Sequence, residues 1–324
     1  MILLPTVENL SLAADVLRGG GVIAIPTETV YGLAARITDR VALETIFRIK
    51  GRPSDNPLIV HVSSIEQARG LVSALAHDSL ERVAGLFWPG PLTLVFPAAD
   101  TVSTIITAGL STVAVRMPQH PIARSIIDEC GSPLAAPSAN KSGRPSPTTA
   151  QHVEADLGPE VRIIDGGPCR VGLESTVVRV MSDKLIVLRP GIITMQELRD
   201  RTGLPVDHAG TAEDLNGSPG TRYRHYAPNA HVVLTYSISE AFNFLAGGDA
   251  RAMLLARPEL HAEFQGQIVG SLTEHDLYAE LRRADDLHVE RIVVLCDGTV
   301  QCHEALMNRL RKASQDGNEQ DSGT

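Results

Sequence analysis

Apolar residues fall at helical spacing across residues 8–18, three glycines at 19–21 interrupt the pattern, and the all-apolar residues 22–25 follow as a short strand. The alternation continues. Asp39 stands as an N-cap before a helix reaching residue 49, residues 58–62 read as a strand, 65–75 and 80–87 as helices, and 92–96 as a further strand. Residues 113–115 and 134–136 are strand-like on either side of a helix at 122–130. Residues 177–180 and 185–188 flank a Ser-Asp-Lys turn as a hairpin. Such strands, separated by amphipathic helices, predict an α/β fold with a twisted, open, mixed sheet.

After Pro205 the pattern lapses. Residues 207–224 are polar, rich in Gly and Thr and without aliphatic periodicity, which reads as a linker. Strands at 232–234, 252–256 and 292–295 then alternate with helices at 238–245, 277–284 and 300–311. The expected organisation is a first domain over residues 1–205, a linker or lid over 206–230, a smaller α/β domain over 231–312 and a disordered polar tail over 313–324.

Charge narrows the function classes. A net charge of -9 over 324 residues excludes the overall basic footprint of a dedicated nucleic-acid binder and leaves anion sites to local clusters. The four cysteines, Cys130, Cys169, Cys296 and Cys302, are scattered and no secretory leader precedes them, so a reducing, cytoplasmic setting is expected. Cys296, Cys302 and His303 form a C-x5-C-H group spaced more widely than zinc pairs, so a buried thiol is the expected reading and no metal ligand is assigned. No apolar run nears the ~20 residues that span a bilayer, and membrane insertion is not expected.

Five polar clusters fall where strands should end, the edge at which open α/β sheets bind ligands. Pro26-Thr27-Glu28-Thr29-Val30-Tyr31-Gly32-Leu33 offers hydroxyls, a carboxylate and a turn glycine, suited to a small polar molecule, although an ordinary edge and turn would use the same residues. Lys50-Gly51-Arg52-Pro53, with Asp55-Asn56-Pro57 and His61, sets two cations on a rigid bend. They can neutralise a helix C-terminus, and they suit phosphate, Arg as a planar fork and Lys as a point charge. Arg116 ends an apolar strand, where a charge needs an anion or a carboxylate partner. Residues 136–148 supply small side chains and backbone amides ahead of a helix start, again suited to phosphate. Glu174-Ser175-Thr176 leads into a strand whose hairpin partner ends in Arg189-Pro190-Gly191. The linker adds rings and cations in Arg222-Tyr223-Arg224-His225-Tyr226, which read as a lid or as a tether. Ser138-Ala139-Asn140-Lys141 fits S-x-x-K and Ser54-Asp55-Asn56 fits S-D-N, but their order is the reverse of that in penicillin-interacting enzymes, which counts against an acyl-enzyme.

Taken in chain order, Pro26 through Leu33, Lys50-Gly51-Arg52-Pro53, Asn56-Pro57-Leu58, Ser138-Ala139-Asn140, Ser175-Thr176-Val177 and Arg189-Pro190-Gly191 resemble the YrdC-type threonylcarbamoyl-AMP synthases. Ser218-Pro219-Gly220 through His225-Tyr226-Ala227-Pro228 resembles the longer branch of that family, whose C-terminal domain is Rossmann-like. The resemblance implies that threonine's amine captures bicarbonate as a carbamate, whose oxygen attacks the α-phosphorus of ATP and releases pyrophosphate. It assigns Lys50, Arg52, Asn56, Thr112, Ser138, Ser146, Arg189 and Tyr226 to ATP, and Thr29, His61, Arg116, Ala136 and Ser175 to threonine. Lys50 and Arg52 are the catalytic candidates, and Tyr223 and His225 join Tyr226 as lid candidates. Magnesium is the companion expected for the triphosphate. The product is expected to pass to a tRNA-modifying transferase complex, with a transient tRNA contact as the limit of any nucleic-acid binding. The competing readings are a YrdC-like RNA-binding module without synthase activity, and carbamoyl transfer as in hydrogenase-maturation proteins.

Overall fold

The fold is that of a computed structural model, which describes residues 1–210, 226–246 and 251–314. The chain divides into two compact units, Met1–Ser142 with Ser146–Arg222, and Gly143–Pro145 with Tyr223–Thr324. The first unit's strands are β1 (Ile2–Leu3), β2 (Ile23–Ile25), β3 (Gly32–Arg36), β4 (Ile59–His61), β5 (Leu92–Pro97), β6 (Thr112–Arg116), β7 (Leu134–Ala135), β8 (Ile163–Ile164), β9 (Thr176–Val180), β10 (Leu185–Arg189) and β11 (Val206–His208). They join as one sheet in the order β1-β8-β2-β3-β7-β4-β6-β5-β9-β10-β11, with parallel and antiparallel neighbours mixed. The expected open mixed sheet is therefore present.

Alternation along the strands decides where chemistry can sit. Val60, Leu94, Val115 and Val178 face a large core beneath the helices Arg40–Lys50 and His77–Phe87. Their alternate neighbours, Val95, Ala114 and Val177, join Leu188 in a small cluster that contains no helical residue. Because successive side chains in a strand point to opposite faces, Thr112 and Arg116 share the face of Ala114, His61 shares that of Ile59, and Thr93 that of Val95. A third core packs the helices Val7–Arg18 and Pro121–Cys130 on Ile23, Ile25, Leu134 and Ile164.

The second unit carries β12 (His231–Thr235), β13 (Ala252–Ala256), β14 (Val269–Ser271) and β15 (Arg291–Leu295), all parallel, in the order β12-β15-β13-β14. The helix Ile238–Ala246 contributes Ala241 to a core with Leu254, Ala256, Phe264, Val293 and Leu295. This is the second α/β sheet expected from the alternation.

Several local expectations are corrected. The proposed linker does not begin at residue 206, because Val206–His208 is a strand paired in parallel with β10. Backbone hydrogen bonds define that edge strand, and its exposed Asp207 and His208 carry no apolar alternation to reveal it. The helix expected at 65–75 stops at Arg69, and Gly70 follows it. β3 was not anticipated, since its Gly-Leu-Ala-Ala-Arg sequence lacks the large β-formers. The last helix is split at His303 into Gly298–Cys302 and Glu304–Ser314, and Ala313, assigned to the disordered tail, is buried in the latter. Most of the lid segment, including Tyr223 and His225, lies outside the described residues.

Candidate active site

Arg116 is the last residue of β6 and is 3% exposed. Its Nε donates to the Gly90 carbonyl at 3.2 Å and its Nη1 to Thr29 Oγ1 at 2.8 Å. Its Nη2 lies 2.7 Å from Glu28 Oε1 in an ion pair whose two side chains are both 4% exposed. A guanidinium has five N–H groups, so donors remain on both terminal nitrogens for a further carboxylate. Thr29 is itself held by Thr27, whose hydroxyl lies 2.8 Å from Thr29 Oγ1 and donates to the Val30 carbonyl. His61 stands beside Arg116 in the β4–β6 register. Burial, reinforced by the Arg116 charge, pushes the His61 imidazole down to about 3, so the ring is neutral at physiological pH. Burial alone would raise the Glu28 carboxyl, but the Arg116 charge and contact outweigh it and leave Glu28 ionised below the usual carboxylate range. Glu28 also walls a cleft of about 380 Å³ with Gln119, His120, Pro121, Pro168 and Arg170.

The other cations are built differently. Asp39 caps the helix Arg40–Lys50 by accepting from Ala42 N, and Gly51 ends it in the left-handed region at φ 62°, which sets Lys50 on the last turn. The Lys50 ammonium donates to the carbonyls of Ser138 and Asn140, the latter at 2.6 Å, and lies 3.4 Å from Asn140 Oδ1. These three oxygens match its three N–H donors. Sequence reading put Lys50 on phosphate as a point charge, whereas the structure spends its ammonium on the Ser138–Asn140 turn. Burial, followed by repulsion from Arg52, holds this lysine well below its ordinary value. Arg52 is braced by the carbonyls of Asn56 and Pro57, at 3.3 and 2.9 Å. Asn56 is buried beside it.

Around the same turn, Gly32 bridges to Ser138, and a Cβ at Gly32 would sit 3.1 Å from that of Ala136. Ala136 N donates to the Ile59 carbonyl, tying this segment to β4. Ser175 Oγ lies 2.7 Å from Thr93 Oγ1, and Arg189 Nη2 donates to the Ser175 carbonyl at 3.0 Å. Ser146 Oγ donates to Glu174 at 2.5 Å. Thr112 opens the strand that Arg116 closes, on the same face and roughly 13 Å away by strand rise. Tyr226 belongs to the second unit, where its ring stacks on Tyr278 at 5.3 Å with the Arg309 guanidinium 5.7 Å from its centroid. Its φ of 67° is unusual for an aromatic residue.

The structure thus gathers Thr29, His61, Arg116 and, through adjoining strands, Ser175 at one end of the sheet face that carries Val95, Ala114 and Val177, and Lys50, Arg52, Asn56 and Ser138 around an adjoining turn. Sequence reading missed Glu28, Thr93 and Glu174 as partners. Glu28 had a signal, since a carboxylate directly after an all-apolar strand has to be paired.

Comparison with known proteins decides what this arrangement belongs to. The profile of the Sua5, YciO and YrdC family, described as "Telomere recombination", matches residues 15–191. One described as "Threonylcarbamoyl-AMP synthase, C-terminal domain" matches residues 193–315. The threonylcarbamoyl-AMP synthase of Pyrococcus abyssi is 40% identical over 323 residues, covering 94% of both chains. The chain belongs to the threonylcarbamoyl-AMP synthase family. The Bacillus subtilis threonylcarbamoyl-AMP synthase is also 40% identical, over 94% of this chain and 93% of its own. The crystal structure of P. abyssi Sua5 complexed with L-threonine superposes with a TM-score of 0.87 at 38% identity, over 97% of each chain. Membership of this family makes the chain an enzyme of nucleotidyltransferase type that produces threonylcarbamoyl-AMP, built with the family's two-domain architecture. No helix among the described residues is long and apolar enough to cross a membrane.

Proposed function

We propose that this enzyme joins L-threonine, bicarbonate and ATP, with Arg116 as the anchor for the threonine carboxylate. The single observation that carries this reading is the buried guanidinium braced by Thr29, Gly90 and Glu28, with donors left on both terminal nitrogens. The neutral His61 beside it offers a polar contact without adding a second cation. Threonine's ammonium gives up a proton to solvent, and the resulting amine bonds to the carbon of bicarbonate with loss of water. One carbamate oxygen then bonds to the α-phosphorus as the bond to the pyrophosphate oxygen breaks. Catalysis of this kind rests on holding reactants in line and neutralising phosphate charge, so no covalent enzyme intermediate enters.

Arg52, Arg189, Asn56, Ser138 and Ser146 form the nucleotide side, with Thr112 further along the same face. Lys50 acts there through the Ser138–Asn140 turn it pins. A magnesium ion fits this donor set as one carried by triphosphate oxygens, because Glu28 is committed to Arg116 and Glu174 accepts from Ser146. Bound there, it would neutralise charge on the leaving pyrophosphate. Passage of the product to a tRNA-modifying transferase, in a cytoplasmic setting, completes the reading. Isotope-labelled bicarbonate tests the chemistry: its carbon should appear in an adduct with the mass of threonylcarbamoyl-adenylate, and an unlabelled adduct would remove bicarbonate as a substrate.

A further inference from the structure

A carboxylate placed against the arginine that receives the substrate's carboxylate needs an account. The Glu28–Arg116 pair is almost completely buried, and a buried ion pair is seldom retained for stability, since apolar residues of equal volume often serve as well. Orientation alone is already supplied by the Gly90 carbonyl and Thr29 Oγ1. What Glu28 adds is negative charge. Its Oε1 is 2.7 Å from Nη2, so a carboxylate bound to the guanidinium fork would lie roughly 5 Å from it, close enough at an effective dielectric near 20 to weaken a bare anion by about 100-fold. A zwitterion escapes most of that repulsion, because its ammonium stands one carbon from its carboxylate and interacts favourably with Glu28. His61, held neutral, supplies no cation to offset Glu28 in its place.

We infer that Glu28 is a specificity-determining residue, which balances Arg116 so that the site selects a zwitterionic amino acid and rejects simple carboxylates. The inference rests on Arg116 receiving the threonine carboxylate. The pair is read by the ratio of two constants measured on the full chain: the inhibition constant of 3-hydroxybutanoate, which is threonine without its amine, and the KM of threonine.

In the wild-type enzyme the ratio should be roughly 100 or more, and in Glu28→Gln it should fall at least tenfold, with the KM of ATP unchanged. Glu28→Asp, which keeps the charge, should hold the ratio near wild type even if both constants worsen. A ratio near one in the wild-type enzyme, a reading that needs no variant to fold, would overturn the inference, as would an unchanged ratio in Glu28→Gln. Arg116→Met separates the two layers. If it leaves both constants unaltered, the carboxylate reading of Arg116 fails; if it raises both while Glu28→Gln leaves the ratio alone, only the role of Glu28 fails.

Discussion

Two buried cations of the first unit, Arg116 and Lys50, are held in different ways. Arg116 has a full carboxylate against it, whereas Lys50 is surrounded by the neutral oxygens of Ser138 and Asn140 and repelled by neighbouring Arg52. The difference fits the proposed ligands: an amino acid brings one negative charge and its own positive charge, so a balanced pocket would suit it, while a triphosphate would bring several negative charges at once and need no carboxylate beside its cations. Burying Lys50 costs stability that the sheet must supply, since the Asp156 charge offsets only part of the burial and the repulsion from Arg52.

Acid should act on the fold first through His61. The folded-state value of His61 lies near 3, below the 6.5 of an unperturbed histidine. Protons therefore bind the unfolded chain before the folded one, and stability present above pH 6.5 is lost as the pH falls toward 3, by on the order of 5 kcal/mol. Glu28 adds a loss that begins as the pH falls through the ordinary carboxylate value, within the lower part of the His61 limb, and continues below it, because its folded-state value is depressed. Denaturant titrations across this range should show the first limb, and His61→Phe should flatten it; an identical slope in that variant would detach the limb from His61.

At the nucleotide end, Arg52→Ala should slow pyrophosphate release by roughly 100- to 1,000-fold while the fold survives, as removal of a charge-stabilising donor does elsewhere. Wild-type turnover would cancel its phosphate role. Lys50→Met should destabilise the chain by about 3 kcal/mol in chemical denaturation, since it strips a donor from buried acceptors. A phosphate ligand without such partners would instead leave stability intact and weaken only ATP. The smallest effect sharpens the comparison at the substrate: valine in place of threonine should lose about 1–3 kcal/mol in kcat/KM through an unpaired polar contact, and equal use of both would contradict a pocket that reads the hydroxyl.

The sequence shows the residues of both groups but not the bonds between them. The helix ending at Lys50 was legible because Asp39 caps it and Gly51 stops it, both local signals. Arg116 was legible because a charge closing an apolar strand requires a partner. That the partner is Glu28, and that Lys50 reaches the Ser138–Asn140 turn, depends on strand order and register, which periodicity does not encode. β3 and β11 escape periodicity for a related reason: one is built from small residues and the other has a single buried valine followed by exposed Asp207 and His208, and both are strands because their neighbours pair with them.

Pyrophosphate release from ATP by the purified chain, with magnesium and bicarbonate and with threonine either present or withheld, tests the central claim most directly. Release that depends on threonine, falls with Arg116→Met through a raised threonine KM and falls with Arg52→Ala through the rate is the predicted result. Release that proceeds equally without threonine would contradict the account.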